Sequence, residues 1–430
     1  MLSAEENELL CHVGPGTPMG TVFRRYWLPA LRSVDLPAPD CTPVRVRLLG
    51  EDLIAFRDSS GRVGLLAERC SHRGTSLFFG RNEEGGLRCI YHGWKYDVDG
   101  RILDTPAEPA QSMIKHAVRH PCYPCREINS MVYTYMGPPE KMPLLPDLPW
   151  FTLPADRVGV GAPVINECTW LQTQEGNLDS THSAFLHARR AMDGAFRPGG
   201  NSTQPYRNQQ NPPAFEINAL PWGVRAVIRY PAADGKAFTR INTFVAPVYT
   251  ALPNGPLVEG KLDGFDINTE VPMDDEHTMR YTINVRYTSP TVQGSRVFPP
   301  DQVAPDGRKL RNRANDYLID REKQRQGLVF SGLDALFPIQ DACACETMGP
   351  IADRSHEHLG VGDTQIAAVR RFLLAAIRTI EQGGDAPGVA FDAQANDYSD
   401  LITINAEVPA GVDWKEFAPE VTTRGLPALR

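Results

Sequence analysis

The 430-residue chain has no run near the ~18 consecutive apolar residues that a membrane span requires. It has no basic excess: 44 Lys and Arg against 52 Asp and Glu leave a net charge of −8, which removes the attraction a nucleic-acid partner needs. The start, Met1 to Leu10, is acidic and lacks the apolar stretch of a secretory signal, so a cytoplasmic protein is expected. There is no internal repeat and no low-complexity tract. The nine cysteines are odd in number and suggest no disulfide framework; metal ligation, redox chemistry and plain burial remain open for them. What the chain does have is 36 glycines and 37 prolines, about 17% of all residues where ~12% is usual. That calls for many turns and argues against a helical bundle. Apolar residues at 42% and charged residues at 22% fit an ordinary globular protein. At roughly 150 residues per domain, the length allows two or three domains.

The texture divides the chain. Ser3 and Glu6 have capping-box spacing ahead of Leu9 and Leu10, and residues 1–40 read as an N-terminal helical segment packing on the later domain. Residues 41–140 hold short alternating runs, such as Val44 to Leu49 and Asp52 to Phe56, separated by Gly and Asp turns. That pattern is an antiparallel β module. A proline-rich stretch from Met136 to Pro149 is the best linker. In residues 141–430, Thr169 to Arg190 reads as helix and Ala219 to Arg286 as several alternating strands. A late helix has Asp363 as N-cap, an apolar face of Ile366, Val369, Leu373, Ala376, Ile377 and Ile380, and Gly383 as its stop. The fold class is α+β: a small β module, then a domain with a central antiparallel sheet flanked by helices.

Two constellations carry chemistry. The β module contains Cys70-Ser-His72-Arg-Gly and Cys89-Ile-Tyr-His92-Gly-Trp94. Two Cys and two His are also a zinc inventory, but zinc fingers pair like residues, C-x2–4-C with H-x3–5-H. Here each loop offers one of each. That suits a two-iron cluster with both thiolates on one iron and both imidazoles on the other, an arrangement that raises the reduction potential. The glycines allow tight loops, with Tyr91 and Trp94 as candidate shields. Cys122-Tyr-Pro-Cys125 has no second pair, and packing at the module's edge is the preferred reading.

The second constellation is Gln174-Glu175-Gly-Asn177-Leu-Asp179-Ser-Thr-His182, followed by His187. Five residues on an ideal helix turn through about 140°, so the two His share a face only across a π-type turn. Asp179 is close enough in sequence to bond the second nitrogen of His182 and fix its tautomer. Two His and one carboxylate with open positions make a non-haem Fe(II) oxygen-activating site. Asp341 is the best third ligand, with Asp334 and Glu346 as rivals. Asp179, Asn177 and Glu175 are the candidate catalytic residues.

A β module of this kind, then D-x2-H-x4-H, then a distant Asp, resembles the large subunit of the Rieske non-haem iron oxygenases, phthalate dioxygenase-like class, over nearly the whole chain. Val13 to Gly20, Phe79 to Trp94, Asn315 to Glu322 and Gln340 to Arg354 carry the resemblance. It implies a Rieske [2Fe–2S] domain at 41–140, a catalytic iron domain at 141–430, and a homotrimer or homohexamer. It further implies a ferredoxin or NAD(P)H-dependent reductase as electron source, and Asp179 as the carboxylate bridging a cluster His to an iron His. In such an assembly the cluster of one subunit serves the iron of its neighbour. Ser71 stands where the family usually has Pro, and its hydroxyl is expected to point toward a bridging sulfide.

The resemblance implies hydroxylation of an aromatic carboxylic acid. Arg225 and Arg240 resemble the arginines that hold substrate carboxylates, with surface strand positions as the alternative for them and for Arg229. O-demethylation of a methoxylated lignin-derived acid uses the same motifs. A Rieske electron carrier and a zinc-binding structural protein are the rivals from other classes; a carrier leaves the second domain unexplained. The basic run Arg308 to Arg313 reads as a solvated face or a dock for an acidic electron-transfer partner.

Overall fold

A computed structural model describes residues 1–192, 194–199, 206–291 and 302–423. At the N-terminus the reciprocal Ser3 and Glu6 bonds, each 3.0 Å, cap the helix Ala4–Cys11. A second helix, Pro18–Phe23, starts on Thr17, whose hydroxyl accepts the Gly20 N–H. Both pack on the late helix Thr364–Glu381. Beyond Phe23, residues 1–40 hold only one more helical turn, the 3-10 turn Ser33–Asp35. Trp27–Arg32 is a strand, almost entirely buried, and it pairs with Met131–Tyr135 of the β module.

The β module is three small antiparallel sheets. One pairs Val44–Leu48, Glu51–Arg57, Val63–Ala67 and Cys122–Tyr123; another pairs Arg81–Glu83, Gly86–Arg88, Lys95–Tyr96 and Ile102–Asp104. Ile54, Phe56, Leu66, Leu87, Trp94 and Tyr96 form the core between them and bury Cys70 and Cys89.

The larger domain is built on a nine-stranded antiparallel sheet among the described residues. Its centre runs through Thr278–Val285, Phe265–Pro272, Tyr249–Leu252, Lys236–Val245 and Gly223–Pro231. Phe265–Pro272 alternates in the usual way, but both of its faces are buried. Phe265, Ile267 and Val271 join the main apolar core with Trp150 and Tyr281. Asp266, Asn268 and Glu270 face the other way, in register with Asn284, Thr282 and Arg280. The helix Trp170–Leu178 lies over that polar face and also touches Phe337–Glu346 and Thr364–Glu381.

One expected element is shorter than the sequence suggests. The helix read over Thr169 to Arg190 ends at Leu178. Asp179 turns extended, and its carboxylate accepts the Thr181 N–H at 2.7 Å, a local bond that competes with helix continuation. A 3-10 turn at His182–Ala184 and a strand at Ala188–Arg190 follow, so no π-type turn is needed. The late helix runs over Thr364–Glu381 and stops at Gly383, whose φ of +84° suits glycine. Asp363 precedes it, but its carboxylate bonds the Gly360 N–H rather than the helix. Among the described residues no helix is long and apolar enough to cross a membrane.

Candidate functional site

The first constellation sits on two loops of the β module. Each loop closes on a glycine at φ +77°, with Gly74 N–H to Cys70 O at 2.8 Å and Gly93 N–H to Cys89 O at 3.1 Å. Burial, and then the neighbouring Cys70, push the Cys89 thiol up; two adjacent thiols ionise together only beside a cation. The Tyr96 hydroxyl lies 3.0 Å from Cys70 Sγ. On the other side the His72 and His92 rings meet at 4.5 Å, His72 stacks on Trp94 at 4.6 Å, and Tyr91 packs on His92. His72 Nδ1 is buried and makes no hydrogen bond. Among the described residues, the one group of three or more ligand atoms within 4.8 Å of each other lies in the larger domain. The four residues here therefore do not converge on a point as a zinc site requires. Paired thiols and paired imidazoles, set apart, fit two irons.

Ser71 does not face the cluster position. Its hydroxyl donates to His120 Nδ1 at 2.7 Å, while His120 Nε2 donates to the Ala67 carbonyl at 2.8 Å. The carbonyl accepts only, which fixes the tautomer. Cys122 and Cys125 pack into different apolar clusters. Burial pushes both thiols up, Cys125 to about 12.

The second constellation does converge. His182 Nε2 and His187 Nε2 are 3.1 Å apart, and Asp341 Oδ1 lies 3.0 Å from His187 Nε2 and 3.7 Å from His182 Nε2. With metal–nitrogen bonds of ~2.1 Å, such spacings are those of ligands sharing one ion. Each ligand has its own partner. His182 Nδ1 lies 3.6 Å from Asp179 Oδ2, an ionic contact just beyond hydrogen-bond reach. His187 Nδ1 donates to Gln340 Oε1 at 2.6 Å, and its ring stacks on Phe337. The Gln340 amide cannot turn over, because its nitrogen donates to Leu333 O and Ala335 O. Asp341 Oδ2 accepts from Arg280 at 3.2 Å.

Burial would raise Asp179, yet His182 and Thr181 bring it down to about 2. Burial opposes ionisation of Asp341 as well; His187, Arg280 and His182 overcome it and hold the carboxyl far below its usual range. His182 is pulled down by burial and raised on balance by Asp179 and Asp341. The triad is thus a preformed anionic cradle with both imidazole Nε2 atoms turned inward.

The rival ligands are engaged elsewhere. Asp334 pairs with Arg189 and Lys323. Glu346 is buried with Lys309, at 2.7 Å, and Tyr317. That pairing also buries Lys309, so the run Arg308 to Arg313 is not a uniform solvated face. Glu175 is held by Arg370 at 2.6 Å and Arg354 at 3.0 Å, away from the ligand triad. Asn177 lies deeper, donating to Glu270 at 2.7 Å and accepting from Asn268 and Arg280.

A cavity of about 420 Å³ opens beside the triad, walled by Asn177, Ser183, Arg207, Arg240, Asn242 and Phe337 among others. The two arginines singled out in the sequence part company here. Arg240 is opposite Ile228 in the register and faces the cavity; Arg225 is opposite Thr243, on the other side of the sheet. There Arg225 bonds Asp400 at 3.2 Å and lies over Trp414. Arg229 shares that face and pairs with Glu216. A spacing of fifteen residues across a hairpin does not reveal parity until the register is known. Two more guanidiniums line the cavity: Arg280, already tied to Asp341, and Arg207, which bonds the Ser183 hydroxyl. The second was not singled out in the sequence. It comes from an irregular segment with no periodicity to flag it. Burial, and then Arg207, push Arg240 down to about 9.

Comparison with known proteins agrees with this architecture. Residues 26–124 match the Rieske [2Fe-2S] domain, and residues 134–427 match the family described as LigXa C-terminal domain like. The chain is 37% identical to the phthalate 4,5-dioxygenase oxygenase subunit of Pseudomonas putida, over 97% of this chain and 95% of that one. It is 36% identical to the 3-chlorobenzoate-3,4-dioxygenase oxygenase subunit of Comamonas testosteroni, over 99% and 100%. The terminal oxygenase of carbazole 1,9a-dioxygenase from Novosphingobium sp. KA1 shares the fold, with a TM-score of 0.55 at 21% identity over 86% of this chain and 94% of that one. With both halves matched and the whole length paired to oxygenase subunits, the chain belongs to the Rieske non-haem iron oxygenases, as a terminal oxygenase component with a [2Fe–2S] cluster and a mononuclear iron.

Proposed function

We propose that this oxygenase hydroxylates an aromatic carboxylic acid, by ring dihydroxylation of the phthalate type. The observation that carries the reading is the polar cavity beside His182, His187 and Asp341, with Arg240 facing it from a buried position. A buried guanidinium calls for an anion, and a carboxylate meets it in bidentate fashion. Arg207 stands beside it and adds a second positive charge. Two oxygenase subunits similar to this chain are named for phthalate and chlorobenzoate, both aromatic acids.

Cys70, His72, Cys89 and His92 are proposed to hold the cluster, and His182, His187 and Asp341 the iron. The cluster supplies electrons one at a time and the iron supplies oxygen activation. The chain's own residues do the rest. Gln340 keeps His187 protonated at Nδ1, which frees Nε2 for the metal. Arg280 occupies one Asp341 oxygen and leaves the other to the ligand set. Arg240 orients the acid against the open side of the triad.

Asp179 borders this cavity and a second one of about 430 Å³ that leads outward past Glu357 and Arg370. In a homotrimer or homohexamer that outer cavity receives the cluster tip of another copy, and Asp179 then links an imidazole there to His182. A ferredoxin, a reductase drawing on NAD(P)H, or both deliver the electrons.

The test is product mass after turnover with a surrogate reductase, NADH and O2, on phthalate-type and methoxylated acids side by side. The expected product gains two oxygens and two hydrogens. Loss of a CH2 unit with release of formaldehyde would instead make the enzyme an O-demethylase.

A further inference from the structure

Strand Lys236–Val245 presents Phe238, Arg240 and Asn242 on one face, opposite Tyr230, Ile228 and Ala226 of its neighbour. Arg240 and Asn242 both line the cavity, 4% and 1% exposed. Arg240 spends one nitrogen on Asn254 Oδ1 at 3.2 Å, and its Nε and Nη1 make no hydrogen bond. Asn242 is the mirror case. Its Nδ2 donates to Ser180 Oγ at 2.9 Å, and its Oδ1 accepts nothing. Among the residues of one wall there are thus cationic donors and, about 7 Å along the strand, a buried acceptor, each without a partner. Buried polar groups are nearly always partnered, and the group missing at Asn242 is a donor.

We infer that the substrate carries, besides the carboxylate that meets Arg240, a hydroxyl or amino substituent that donates to Asn242 Oδ1. This rests on the aromatic-acid reading and narrows it. A methoxy group, a halogen or a further carboxylate at the same ring position brings only lone pairs toward a carbonyl oxygen. A site built to receive a hydroxyl discriminates against analogues that lack one far better than an apolar pocket sorts by size, because the buried protein group is left unpaired. Asn242 is in this sense a specificity-determining residue: it selects the ring substituent while Arg240 holds the acid.

The experiment is anaerobic calorimetric titration of the loaded full-length enzyme, without reductase. The panel is benzoates carrying hydroxyl, amino, methoxy or chloro groups at the meta or para position. Hydroxy and amino acids are expected to bind ~10-fold tighter than their methoxy counterparts, the worth of one hydrogen bond to a buried acceptor. Asn242→Leu should bring the ratio close to one. Asn242→Asp, whose carboxylate only accepts and so has no donor to turn inward, should keep it. Arg240→Gln should weaken the panel as a whole and leave the ratio in place. Equal affinities in the unaltered enzyme overturn the inference without any variant. So does a preference for methoxy acids, which would mean the Asn242 amide faces the other way, and so does a ratio that survives in Asn242→Leu. If no acid binds and Arg240→Gln changes nothing, the aromatic-acid reading falls and takes the inference with it. If acids bind through Arg240 without donor preference, the inference alone falls.

Discussion

The two metal constellations follow opposite plans. The residues proposed for the cluster lie within a short stretch, Cys70 to His92, on two glycine-closed loops, the second of which exposes Ile90 and Tyr91. The residues proposed for the iron come from two distant segments, and each is gripped by another side chain: Asp179, three residues before His182, Gln340 on His187 and Arg280 on Asp341. A local plan needs only its loops. A distributed plan needs the whole domain, and it lets the protein tune every ligand separately. The two sites should therefore fail independently.

The strongest break of that independence is Asp341→Ala. Turnover is expected to fall to background, because the carboxylate that completes the triad is gone and two imidazoles alone hold iron weakly. The cluster should survive intact. Metal analysis should show one iron fewer per chain, with the reduced-cluster EPR signal unchanged. Loss of that signal would mean the sites are not separable.

Asp179→Asn probes the link between the sites rather than either one. Both metals should remain, while turnover drops on the order of 100-fold, the upper end for an outer partner of a metal ligand. The charge is what matters here, since His182 and Thr181 hold the Asp179 carboxyl at about 2 and hence ionised throughout the working range. Single-turnover reduction of the iron by pre-reduced cluster is the measurement. A rate near that of the unaltered enzyme would remove Asp179 from the electron route.

Gln340→Met keeps length and removes the acceptor for His187 Nδ1. Iron affinity is expected to fall ~10-fold or somewhat more, read as Fe(II) release to a chelator. No change at the cluster is expected. Unchanged release would leave Phe337 stacking as sufficient to orient the ring.

The same contrast decides what the sequence could say. The cluster motif was legible because its ligands and glycines are neighbours, and the loops they imply are the loops observed. The triad was legible as residue types, while its geometry was not. The helix that would have needed a π-type turn ends at Asp179, on a side-chain bond that periodicity does not register. Arg225 and Arg240 look alike in sequence and sit on opposite faces, because hairpin register fixes parity. The polar face of Asp266, Asn268 and Glu270 drew no reading from the sequence, because only the helix Trp170–Leu178 packed over it shows that it is buried.

Ser71→Ala is the smallest of these perturbations and the sharpest test of the local plan. Ser71 is the departure from the family's usual Pro, and its hydroxyl ties the first loop to His120, which in turn holds the Ala67 carbonyl. Removing it strands a buried imidazole nitrogen, a loss of ~1 kcal/mol that should lower the module's melting temperature by roughly 4–8 °C. Burial keeps His120 neutral, with its ionisation below the ordinary histidine value. The unfolded chain then takes up this proton first, so the contribution of His120 is full above about pH 6.5 and declines as pH falls below it. The variant should therefore lie below the unaltered protein in stability by a similar margin at neutral pH, with cluster EPR and iron content both intact. A loss of iron from the distant triad in this variant would show that the two plans are mechanically joined, and the sheet pairing of Trp27–Arg32 with Met131–Tyr135 would be the first place to look for the joint.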